Sequence, residues 1–501
     1  GVLFRGNAEE IIRKNIINRH LIKGIIGLPA NLFYGTGIPA CIIVLDKENT
    51  ENRTGIFMID ASHGFIKDGD KNRLREQDIY KIVTTFNSMI EVSGFSRFVP
   101  FDEIINKNSY NLNIPRYIDS TEKEDLQSIE AHLYGGIPQD DIDNIPHFWN
   151  VFPNLKNQIF GEYSKGFYKL LIQKDDVHKT ISENIEFLEY NKKVNNTYNE
   201  WKKIANPVLT NLNSTDSNKE IILNLSEEIL EKFSKLELLD KYDVYQVLLA
   251  YWNETMNDDV LLIIQDELGY NLAKITDDIK EEPKESKKAK KDSAKEKKTK
   301  EPKIIGWEGR LIPKQIVLDA FFALEQKEIE KAEEKLSQTE SEFEEFIENN
   351  SDENGYFTDY MGDDEKIDSK KITSRVKLLT KEKKTQNEEY KILNNYVDYE
   401  SSIKSQKKHI TELKKVLDDN CRNRYETFTD AEIKDLLVNR KWYKAIDDGI
   451  QNLYVTVANH LTKRIVELYE RYENTLSELN TKLAEEEKVV FGHLTQMGFK
   501  L

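Results

Sequence analysis

The sequence is poor in cysteine, with Cys41 and Cys421 far apart and neither in a Cys-x-x-Cys pair. They allow no disulfide framework and no zinc knuckle, and such low usage points to a reducing compartment. No apolar run reaches the ~18 residues that a membrane helix needs. The N-terminus also lacks the charged, apolar and small-residue sections of a signal peptide. The expectation is a cytoplasmic protein without membrane association. Also missing are a Gly-x-Gly-x-x-Gly turn, a Walker lysine loop, His-Glu-x-x-His, Gly-x-Ser-x-Gly and any cysteine–histidine grouping. The eight histidines are scattered singly. His20, His63, His132 and His147 fall in different segments, and a lone histidine is more often a surface or hydrogen-bonded core residue than a metal ligand. Positive charge is in deficit as well: the net charge is −17. Wrapping DNA needs a concentrated basic face, so any DNA contact is expected to be local or made through a partner.

What is present is length, charge and aromatic side chains. The 501 residues are enough for about three domains of ~100–200 residues each. A charged share of 32% against 39% hydrophobic suits long solvated helices. The chain opens on Gly1 and runs directly into the apolar Val2-Leu3-Phe4, as expected of a piece cut within a domain.

Along residues 1–120 the pattern is mixed α/β. Ile11, Ile12, Ile16 and Ile17 give helical spacing over Ala8–Asn18. Leu21–Leu28 and Ala40–Leu45 are apolar runs of strand length, separated by the Gly- and Pro-rich loop Pro29–Pro39. A third strand fits Gly55–Asp60, and a helix fits Asp78–Asn87 after the polar segment Lys71–Gln77. From 121 to 280 the pattern is helical and rich in aromatics, among them Trp149, Trp201, Trp252, Tyr242, Tyr245 and Tyr251. These are read as core rather than as platforms for stacked bases. Residues 281–303 form a lysine-rich run without large apolar side chains, which reads as a solvated linker.

Residues 304–501 carry coiled-coil signals. Ile329, Ala332, Leu336, Thr339, Phe343 and Phe346 recur at spacings of three and four. So do Leu461, Ile465, Leu468, Tyr472, Leu476, Leu479 and Leu483. A third stripe, Ile403, Ile410, Leu413 and Leu417, allows an antiparallel hairpin within the chain to cover some apolar faces, leaving others for a second subunit.

The most distinctive local sequence is GLPANLFYGTGIPACIIVLDK from Gly27. It reads as a strand end, a glycine-flanked loop exposing Phe33 and Tyr34, and a buried strand. No helix N-terminus follows its Gly-x-Gly, which argues against a phosphate. Adjacent exposed aromatics suit a flat, π-faced ligand such as a nucleobase taken out of its stack. The alternative is that both rings simply plug the sheet edge.

This segment closely resembles the one that follows the catalytic motif in modification subunits of type I restriction–modification systems, and GVLFRGNAEEIIRKNII before it is similar to that family's methyltransferase domain. Further segments fit in order: IDASHGF, NRLREQDIYKIV, YNLNIPRYID, AHLYGGIP, LLDKYDVYQVLLAYWNETMNDDV, WEGRLIPKQIV, and WYKAIDDGIQ through HLTQMGF. The resemblance implies an adenine-specific DNA methyltransferase that uses S-adenosylmethionine and acts on double-stranded DNA. Its implied partners are a specificity subunit, gripped by the helices of 304–501, and a restriction (nuclease/translocase) subunit. It implies the carboxyl-side part of a Rossmann-like sheet over 1–120, followed by a helical domain. By its place before the ACIIV strand, Phe33 matches the aromatic that packs the flipped base, with Tyr34 beside it. The family's glycine-rich cofactor turn and its Asn-Pro-Pro-aromatic turn have no counterpart; the chain contains no Pro-Pro. No catalytic or cofactor-binding residue is therefore carried over, S-adenosylmethionine is expected only with the intact protein, and this chain alone is expected to be inactive. The rival is a non-catalytic assembly scaffold related to the modification subunit.

Overall fold

In the computed structural model the described residues are 2–120, 125–281, 304–351, 355–361 and 367–498. Of the lysine-rich run read as a linker, all but Glu281 lies outside them. The chain packs into two compact units. One comprises residues 1–211, 216–258 and 445–501, the other residues 212–215 and 259–444.

The first unit begins with helix α1 (Ala8–Asn18) and strands β1 (Ile22–Gly27), β2 (Cys41–Leu45) and β3 (Gly55–Asp60), close to the spans expected from the apolar pattern. After them come a short hairpin of β4 (Ile66–Asp68) and β5 (Lys71–Arg73), helix α2 (Glu76–Ser88) and strand β6 (Ser96–Pro100). The main sheet runs β2-β1-β3-β6. β1 and β3 are parallel, with Ile25 opposite Met58, whereas β2 and β6 pair antiparallel on the outside. Every residue of β3 is buried, as an unbroken apolar run in a strand covered on both faces requires.

One face of the sheet packs Ile25, Ile56 and Met58 with Ile17 of α1. The other packs Ile26, Phe57 and Ile59 with Ile82 of α2. Gly24 permits α2 to approach closely, because a Cβ there would lie 2.3 Å from the Phe86 ring. The outer side of β2 is bare: Ile42 and Leu45 are exposed, beside an apolar cavity of about 180 Å³ lined by Val2, Ile12, Ile16 and Ile43.

The rest of this unit is mainly helical, as read. Helix Ile185–Leu209 is capped by Asn184, whose side chain accepts from the Glu186 and Phe187 N–H groups. Trp149, Trp201 and Trp252 are buried, and the Trp201 indole N–H donates to the Leu225 carbonyl at 3.0 Å. They belong to the core, as expected. A three-stranded sheet of Ile137–Pro138, Phe167–Leu170 and Phe160–Ser164 interrupts the helices; its strands are too short and polar for their periodicity to stand out. Helix Lys444–Tyr472 buries Leu461, Ile465, Leu468 and Tyr472, with Tyr454 stacked on Phe187 at 4.5 Å. The apolar stripe read as one continuous run from Leu461 to Leu483 is divided. Thr475 caps a new helix, Leu476–Gln496, through a capping box with Glu478, and that helix buries none of its residues.

In the second unit, strands Thr276–Lys280 and Ile304–Gly309 pair antiparallel. Helix Ala323–Glu348 lies antiparallel against helix Glu388–Glu426. Phe343 meets Tyr396 and Tyr399, Gln406 donates to Thr339, and Lys407 and Lys414 pair with Glu340 and Glu333. The first and third stripes thus face each other within the chain. Near the end of this unit, buried Asp259 accepts from both Lys441 Nζ and Trp442 Nε1. No helix among the described residues is long and apolar enough to cross a membrane.

Candidate target-base loop and the cleft beside it

Residues 28–40 connect β1 to β2 beyond the carboxyl ends of the parallel strands, where ligands of open α/β sheets bind. The Leu28 N–H bonds to the Ala40 carbonyl at 2.9 Å and closes the base of the loop. Inside it Asn31 has φ 54 and Gly35 φ 81, so the chain reverses sharply around the two aromatics. Phe33 is 52% and Tyr34 94% exposed. The structure therefore places both residues on the surface at the sheet's end rather than beneath its edge.

Three hydrogen bonds tie the first half of this loop to the β4–β5 hairpin. Asn72 N–H donates to the Asn31 carbonyl at 3.0 Å, Asn72 Nδ2 to the Ala30 carbonyl at 2.7 Å, and Lys71 Nζ to the Phe33 carbonyl at 3.2 Å. Lys71–Gln77 was read as a polar lead-in to a helix, so these contacts were missed. The available signal was Asp68-Gly69-Asp70: a two-residue turn with Gly at a left-handed position, here φ 59, is a hairpin signature.

A cleft of about 550 Å³ lies at the carboxyl end of β3, lined by Asp60, His63, Arg75, Asp78, Lys81, Ser120, Asp240 and Tyr242 among others. Asp60 is buried. Its Oδ2 accepts from Ser120 Oγ at 2.6 Å and its Oδ1 from the Ser62 N–H at 3.1 Å. Burial pushes the Asp60 carboxyl up, but hydrogen bonds from Ser120 and Ser62 outweigh it and hold the pKa below the usual Asp value. Arg75 grips buried Asp78 through Nε and Nη2 at 2.9 and 3.0 Å, and that bond raises the guanidinium pKa further. Lys81 Nζ sits 4.7 Å from the Phe95 ring centroid and 5.5 Å from that of Tyr242, a geometry that holds a cation without neutralising it.

The cleft lining combines the carboxylates of Asp60, Asp78 and Asp240 with the cations Arg75 and Lys81, of which Arg75 is already paired with Asp78. Among the described residues no group of three or more His, Cys, Asp or Glu side chains is arranged to hold a metal ion.

Residues 1–126, which span the sheet, the aromatic loop and most of the cleft, match the model of the family described as N-6 DNA Methylase. Over these residues the chain is thus similar to a DNA methylase domain. The methylase subunit of the type I restriction enzyme MjaVII from Methanocaldococcus jannaschii is 44% identical over 131 residues, covering 25% of this chain and 22% of that protein. The methylase subunit of the type I restriction enzyme MpnII from Mycoplasma pneumoniae is 39% identical over 127 residues, covering 25% and 23%. The crystal structure of a type I restriction-modification system methyltransferase subunit from Streptococcus thermophilus is 44% identical over 24% of this chain and 25% of that one, with a TM-score of 0.23. The match spans under a quarter of the length of either curated relative. The resemblance to type I modification subunits read from the sequence is borne out, carried by residues 1–126.

Proposed function

We propose that this chain is the carboxyl-side part of a modification subunit which, as a whole protein, transfers a methyl group from S-adenosylmethionine to the exocyclic amine of adenine in double-stranded DNA. The observation that carries the reading is the exposed Phe33–Tyr34 pair, at the carboxyl end of a sheet within a matched methylase domain. The two rings pack the extruded adenine, each good stacking surface contributing about 1–3 kcal/mol. The bare edge of β2 and the apolar cavity beside it support a sheet that continues in the whole protein as a Rossmann-like domain, with 1–120 as its carboxyl-side part and 121–280 as a helical domain. The catalytic turn and the cofactor site lie in that remaining portion. This chain alone transfers no methyl group, because its sequence contains no Asn-Pro-Pro-aromatic turn to accept the amine's hydrogen bonds and prepare the nitrogen for attack.

The helical region 304–501 docks a specificity subunit that reads the DNA sequence, and the restriction subunit joins the same assembly. Helix Leu476–Gln496 supports this: Leu476, Leu479, Leu483 and Phe491 are at least half exposed, an apolar face of the kind that lies in a partner's groove. A specificity subunit that supplies most phosphate contacts also accounts for DNA work by a chain of net charge −17.

The test is transfer of labelled methyl groups to unmodified DNA by the whole protein with its specificity subunit. Label on adenine N6, together with a glycine-rich turn and an Asn-Pro-Pro-aromatic turn encoded upstream of Gly1, is the expected result. No transfer and neither motif leaves the non-catalytic scaffold.

A further inference from the structure

We propose that Asn72 is a positioning residue for the aromatic loop: with Lys71, it holds the backbone of residues 30–33 so that Phe33 is presented in place. The inference rests on the reading of Phe33 and Tyr34 as the target-base surface.

The β4–β5 hairpin is a ribbon of two three-residue strands, paired only with each other among the described strands. Its side chains are exposed or half-buried except Asn72, which is buried under the loop. The side-chain amide donates to the Ala30 carbonyl and the backbone N–H to the Asn31 carbonyl. Together the two bonds fix both carbonyls of the turn on which Asn31 takes its left-handed conformation. Lys71, one residue earlier, reaches the Phe33 carbonyl from the same strand.

The cost of this arrangement is visible. Asn72 Oδ1 is buried with no hydrogen-bond partner, a deficit that a residue chosen for packing alone would not carry. The clamp thus reaches Phe33 itself. A stacking surface held in place before the base arrives needs no ordering when the base binds.

The test compares Asn72→Asp, which keeps the shape but removes the amide donor, with Arg73→Ala, which alters the exposed neighbour on the same strand. On this chain, hydrogen exchange over residues 28–34 is measured alongside the thermal midpoint. In the whole protein with its specificity subunit, steady-state methylation is measured against DNA and against S-adenosylmethionine, with Phe33→Ala as reference. Asn72→Asp is expected to speed loop exchange and lower kcat/KM for DNA roughly five- to tenfold, as loss of one hydrogen bond implies. The cofactor KM should stay put, the thermal midpoint should fall no further than loss of one buried hydrogen bond implies, and Arg73→Ala should behave as unmodified protein. If Phe33→Ala impairs DNA kinetics while Asn72→Asp changes neither exchange nor kinetics, the positioning role is wrong and the base-packing reading survives. Equal effects from Arg73→Ala and Asn72→Asp also overturn the positioning role, since the hairpin would then act through its general stability. If Phe33→Ala itself has no effect on DNA kinetics, the base-packing reading fails, and the functional role of Asn72 falls with it.

Discussion

Two halves of one apolar stripe end differently in this molecule. Leu461, Ile465 and Leu468 are fully buried within their unit, whereas Leu476, Leu479 and Leu483, at the same helical spacing, are 50%, 50% and 55% exposed. Sequence periodicity is identical across the two, so it reports which face of a helix is apolar and not what covers that face. The break between them is a matter of capping: Thr475 and Glu478 satisfy N-terminal donors of a new helix, and the second half buries none of its residues.

The contrast can be broken by mutation, starting where the effect should be largest. Ile465→Ala removes a side chain with no exposure and should destabilise the chain by about 2–5 kcal/mol in urea or thermal unfolding. A loss below about 1 kcal/mol would mean that this half is not packed as described.

A similar contrast between covered and bare groups exists at the sheet's end, where Asp60 is buried and Tyr34 open. Ser120→Ala removes a donor from the buried Asp60 carboxylate and should cost about 2 kcal/mol at neutral pH. The sign follows from linkage. Because the folded pKa of Asp60 is lowered, its contribution is present above the ordinary Asp value and is lost as pH falls through the folded value. Without the Ser120 bond the folded value rises, so the variant should lose less stability than unmodified protein on acidification through about pH 4. Unfolding titrations from neutral to acid pH check both the offset and the slope.

Thr475→Ala deletes the cap between the two half-stripes and should cost about 1 kcal/mol, read as faster amide exchange in the first turn of Leu476–Gln496. Smallest of all, Leu479→Ala with Leu483→Ala should shift the stability of this chain by no more than about 0.5 kcal/mol. The same pair should weaken binding of the specificity subunit in a pull-down or calorimetric titration. Full binding by the double variant would remove this face from the proposed interface.

Much of the sheet was legible because burial on both faces leaves long apolar runs: Gly55–Asp60 was read to the residue. β6 was not read, because as an outer strand it alternates covered Val99 with exposed Phe98 and ends in Pro100. The small hairpin was hidden by polar composition, although Asp68-Gly69-Asp70 marked its turn. Of the candidate site, Phe33 and Tyr34 were legible as adjacent aromatics among glycines. Asn72, Lys71 and Ser120 were not, since each acts through a backbone carbonyl or a carboxylate brought near only by the fold. A stripe's cover is still harder to read: nothing local separates Leu468, which is buried, from Leu479, which is half exposed among the described residues.

The most direct test of the central claim is the methylation kinetics of Phe33→Ala in the whole protein with its specificity subunit. If the loop packs the extruded adenine, kcat/KM for DNA should fall about tenfold, in line with the loss of one stacking surface, while KM for S-adenosylmethionine stays unchanged. Unaltered kinetics toward DNA would contradict the account and leave both aromatics as mere surface.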